Sequence, residues 1–93
     1  MNSDKYTIEL SEYEYDVLKN NSLISSVCTR QLNSAARVEE GIDLSLTLAE
    51  LTDMIGYVAA EANHARKKRE REDLNSICDY LEELEFDFKR QVK

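Results

Sequence analysis

Apolar and polar residues alternate strictly at two places along the chain. Tyr6, Ile8 and Leu10 are separated by polar neighbours, and so are Ile42, Leu44 and Leu46. A period of two is the mark of a strand with one buried face. Each run is followed by a hydroxyl residue with a glutamate three places on: Ser11 with Glu14, and Thr47 with Glu50. That spacing forms a capping box, in which the hydroxyl and the carboxylate satisfy two of the backbone N–H groups left open at a helix start. Both runs are therefore read as strands that pass almost directly into helices.

Elsewhere the period lengthens to that of a helix. Ser11 caps a helix expected over 12–19, with Tyr13, Val17 and Leu18 as its inward edge and early acids suited to its positive end. Asn20-Asn21-Ser22 reads as a turn, with Ser22 able to cap the next helix. Ile24, Cys28, Leu32 and Ala35 make one stripe and predict a single helix over 23–36. Arg37–Gly41 reads as a turn before the second strand. Leu48, Leu51, Ile55, Val58, Ala62 and Ala65 then form a stripe whose continuation lands on Arg69, Glu72, Ser76 and Asp79, all polar. A second stripe, Leu74, Ile77, Cys78, Leu81, Leu84 and Phe88, starts on a different face. One straight helix would bury two faces at once. A break near Ala65–Arg69 lets both stripes serve one core as a helical hairpin, although no Gly or Pro marks it; a continuous helix serving a dimer is the alternative.

The expected fold is thus α+β and mostly helical, one domain over residues 1–93. Its order is β-α-α-β-α-α, with strands at 6–10 and 42–46 and helices at 12–19, 23–36, 48–65 and 69–91. A two-stranded sheet packs on the helices, and the last two helices form a hairpin. Strand direction stays open, because a long helical connection permits either. Two strands alone are marginal in water and leave both edges unpaired, which motivates a homodimer as the expected state.

Composition narrows the functional classes. The 93 residues suffice for one modest core, burying about 60% of the unfolded surface. Charged residues make up 33% and the net charge is −7, so the averaged field repels a phosphate backbone. No nucleic acid partner is therefore expected, nor a membrane one, since no apolar run is long enough to span a bilayer. The first residues lack the pattern of a secretion signal. A cytoplasmic protein with Cys28 and Cys78 as reduced, buried thiols is the simplest reading.

Chemistry-bearing residues are few. Glu61 and His64 stand at i and i+3, the spacing by which bundle helices present ligands to a di-metal carboxylate centre. His64 is the sole histidine, so only a symmetric dimer would supply two such motifs, and both residues lie off the apolar stripe. They are ordinary surface residues on this reading, with no metal and no cofactor expected. No thiol has a neighbouring histidine, and no Gly-rich phosphate loop exists. The paired carboxylates Glu82 and Glu83 fall on a polar stretch and read as a solvated face. Arg66-Lys67-Lys68-Arg69-Glu70-Arg71-Glu72 is the one basic segment. Its cations pair with acids four residues on within a solvated helix, or meet an acidic partner or acids of a second subunit such as Glu82, Glu83 and Asp87. Tyr15, Tyr57 and Phe86 lie off the stripes, and a patch formed by Phe86 with Tyr80 or Tyr57 would be an interface.

These features favour a non-enzymatic, acidic protein-interaction module, self-associating, with Tyr57, Tyr80, Phe86 and Arg66–Arg69 as interface residues. An acidic inhibitor or nucleic-acid mimic is the alternative, carried by Glu9, Glu12, Glu14, Asp16, Glu82, Glu83, Glu85 and Asp87. A metal-dependent enzyme built on Glu61 and His64 at a dimer interface comes third.

Overall fold

The computed structural model describes residues 5–91 and is α+β, mostly helical. The elements are β1 (Lys5–Leu10), α1 (Glu12–Asn20), α2 (Ser22–Val27), α3 (Thr29–Asn33), β2 (Ala36–Val38), β3 (Gly41–Thr47), α4 (Leu48–His64) and α5 (Lys68–Gln91). They form two compact units, which divide between Thr47 and Leu48.

In the first unit the sheet has the order β1-β3-β2, and both pairings are antiparallel. Ile8 lies opposite Leu44, and Leu10 opposite Ile42. The alternation seen in sequence puts these four residues and Leu46 on one buried face. Helices α1 and α3 touch that sheet and bring Tyr15, Leu18 and Leu32 into the core. Ser11 closes the expected capping box: its Oγ accepts from the Glu14 N–H at 3.1 Å, and its own N–H donates to Glu14 Oε1 at 2.8 Å.

Four expectations fail in this unit. The stretch 23–36 is not one helix but two short ones, and its last residue opens β2. Ile24, Cys28 and Leu32 are all buried, so the stripe is real. The backbone departs from helix at Cys28 (φ −110°, ψ 28°). Just there, Thr29 Oγ1 donates to the carbonyls of Ser25 and Ser26 at 2.6 and 2.8 Å. Hydroxyl side chains that bond nearby backbone compete with the helix, and this stretch is rich in them. The cap of α2 is Asn21 rather than Ser22, with Asn21 Oδ1 accepting from the Ile24 N–H.

The sheet has three strands rather than two. Ala36–Val38 pairs with β3 through a turn at Glu39-Glu40, inside the stretch read as turn alone. All three β2 residues are exposed, so the strand is held by backbone pairing and leaves no trace in the apolar pattern. Finally, Leu18 of the expected inward edge of α1 is buried, but Tyr15 turns inward beside it in place of Tyr13, which is 51% exposed.

The second unit is the helical pair. Chain direction reverses at 65–67, where the change of stripe had placed the break. Leu51, Met54, Ile55, Val58 and Ala62 on α4 are buried, as are Leu74, Ile77, Cys78 and Leu81 on α5. Helix α5 packs along α4, and Thr52 Oγ1 donates to Glu85 Oε2 between them. The Arg71 guanidinium donates to the Ala65 carbonyl at 3.2 Å, satisfying a group that the end of α4 leaves open. Among the described residues no helix is long and apolar enough to cross a membrane.

Candidate functional site

Helix α5 presents one continuous outward face. Lys68, Glu72, Asn75, Asp79, Glu82 and Phe86 recur at spacings of four and three, and all are exposed. Late on this face lies a shallow depression lined by Asp79, Glu82, Glu83, Phe86 and Asp87. Phe86 is 63% exposed, the most open large apolar side chain among the described residues. The Arg90 guanidinium sits 5.7 Å from its ring centre, so the ring already receives a cation on one side.

The four acids that share the depression with Phe86 form no ion pair among the described residues. Glu85 differs from them: it bonds Thr52 and lies 3.8 Å from Lys89, drawn into the hairpin. The side chains of Arg66, Lys67 and Lys68 likewise form no ion pair among the described residues. Arg71 is committed to the turn. Lys68 and Phe86 are eighteen positions apart on one helix, about 27 Å at 1.5 Å per residue. The basic and acidic stretches of one chain thus cannot neutralise each other along α5.

Of the other aromatics, Tyr57 is 37% exposed on α4 and Tyr80 is half-buried on α5. Neither lines the depression that holds Phe86. Glu61 is half-buried and His64 exposed on the last turn of α4. Among the described residues, no three His, Cys, Asp or Glu side chains are grouped to hold a metal. What sequence reasoning missed is the grouping of four acids with Phe86 in one depression. Glu82 and Glu83 read in sequence as a plain solvated pair, and only their spacing from Phe86 (four and three) could have joined them to it.

Cys28 and Cys78 are buried thiols, not joined in a disulfide. Burial pushes the Cys78 thiol above its ordinary value, and the nearby charges of Glu82 and Asp79 push it further the same way. A raised folded-state value means that the unfolded chain loses this proton first. The stability contribution is therefore intact below the ordinary thiol value of 9.0 and declines as pH rises beyond it. In a Cys28→Ser background, iodoacetamide should modify native Cys78 much more slowly at pH 8 than in urea. Equal rates in the two conditions would contradict this environment.

Comparison with protein families, with characterised proteins and with solved structures yields no match, so the residues alone carry the functional argument.

Proposed function

We propose that the protein is a non-enzymatic interaction module whose working surface is the outward face of α5. The observation that carries this reading is Phe86, an exposed aromatic ring that shares a shallow depression with four acids that form no ion pair among the described residues. An aromatic anchor beside charged groups is the composition of a binding hot spot: the ring supplies apolar area and the charges set partner sign and orientation. The complementary partner surface is cationic, with an apolar or cationic group to lay on the ring.

The nucleic-acid-mimic reading draws on the same acids, but three of its eight are engaged in structure. Glu14 closes the cap of α1, Glu12 lies 3.5 Å from Arg37, and Glu85 is held in the hairpin. An aromatic ring among the acids of α5 suits a protein partner better than a mimic of phosphates alone.

The test places a photoreactive phenylalanine analogue at position 86, with the same analogue at exposed Ser45 on β3 as control. Position 86 should crosslink to protein on illumination under native conditions, and position 45 should not. Phe86→Ala should leave the stability from urea unfolding within about 0.5 kcal/mol, as expected for an exposed site. Crosslinking no better than the Ser45 control would overturn the reading.

A further inference from the structure

We infer that the partner of this face is a second copy of the same chain, docked antiparallel along α5. The inference rests on the interaction reading above and adds the identity and direction of the partner. Three observations carry it. The chain holds both halves of a complementary pair: Arg66, Lys67 and Lys68 at the start of α5, and Asp79, Glu82, Glu83 and Asp87 towards its end. Both sets are exposed, and neither forms an ion pair among the described residues. Along α5 even the nearest members of the two sets, Lys68 and Asp79, stand eleven positions apart, about 16.5 Å at 1.5 Å per residue, beyond the reach of an ion pair within one chain.

Direction is set by symmetry. In a two-fold pair each contact occurs twice, residue i on j and j on i. Parallel helices would set cation on cation and acid on acid. Antiparallel helices set the basic start of each copy on Glu82, Glu83 and Asp87 of the other, and make those pairings twice. The axis then falls midway between the blocks, near Asn75 and Ser76. Residues at a two-fold axis meet their own copies, so a charge there would repel itself. Asn75 and Ser76 are exposed and uncharged, which suits the axis. Phe86 in this arrangement comes to the basic start of the partner helix, adding a second cation source to the ring that Arg90 already approaches.

Charge exchange provides the test. The wild-type chain should sediment as a dimer at high micromolar concentration. Lys67→Glu with Lys68→Glu should weaken association at least about tenfold, because every pairing it touches becomes acid on acid. Glu82→Lys with Glu83→Lys should do the same with the opposite charge. Mixing the two variants should restore association as a heterodimer, since each then offers what the other needs. Restoration also shows that neither variant failed to fold. A wild-type chain that stays monomeric at these concentrations, or variants that are weakened but not rescued by mixing, would overturn the inference. The photoreactive analogue at position 86 separates the two levels. A crosslink to a different protein overturns the self-docking inference and leaves the interaction reading standing. No crosslink at all removes both.

Discussion

Replacing Tyr15 with alanine should cost about 3–5 kcal/mol of stability, whereas Tyr13→Ala should cost under about 1 kcal/mol. The two tyrosines are two residues apart on one helix, so they point some 200° apart. Tyr15 is buried, with 8% of its surface exposed, and its hydroxyl donates to the Leu32 carbonyl at 2.9 Å. Truncation at Tyr15 thus opens a cavity beside the sheet and removes the bond that ties α1 to the end of α3. Tyr15→Phe isolates that second part and should cost about 1–2 kcal/mol. Tyr13 is half exposed and buries no comparable area. Urea unfolding of the three variants decides the matter through the midpoint at constant slope. A larger loss at Tyr13 than at Tyr15 would mean that α1 is rolled the other way.

That contrast shows where sequence reasoning loses its grip. The segment Glu12-Tyr13-Glu14-Tyr15-Asp16-Val17-Leu18 supports two helical phases, Tyr13 with Val17 or Tyr15 with Leu18. Periodicity is silent between them; a tyrosine hydroxyl taken into the core needs a partner, and Tyr15 finds one in the Leu32 carbonyl. Strands β1 and β3 were legible because their side chains alternate between core and solvent. Strand β2 was not, because all three of its residues face water and only its backbone is paired. The break between α4 and α5 was legible without Gly or Pro, because two stripes on different faces cannot share one straight helix. The break at Cys28 was not, because the stripe passes through it unbroken while the hydroxyls of the stretch bend the backbone. At the proposed working face, Phe86 stood out as an apolar residue off its stripe. Its grouping with four acids emerged only once the face of α5 was laid out.

The second large effect concerns backbone space. The two glycines of the chain should respond to alanine with opposite signs. Gly41 is buried at the start of β3, opposite Val38. A Cβ there would stand 2.5 Å from the Leu10 carbonyl oxygen, closer than real Cβ contacts allow. The obstacle is backbone, and it is backbone with two duties. Leu10 ends β1, and Ser11 immediately after it caps α1. Relief must therefore come from parting β1 and β3 or from shifting the cap. Overpacking of this kind costs about 1–3 kcal/mol, a large share of what a small domain has. Gly56 lies exposed in the middle of α4, and a Cβ there meets nothing within 4 Å. Gly56→Ala should raise stability by about 0.5–1 kcal/mol, because alanine has less backbone freedom to lose in the helix. Amide exchange locates the damage in Gly41→Ala: protection should fall at the Glu14 N–H, which Ser11 holds, together with the β1–β3 ladder. A Gly41→Ala chain as stable as wild type, with that N–H still protected, would refute the close passage of Leu10 over Gly41 from which the strand-to-helix junction is built.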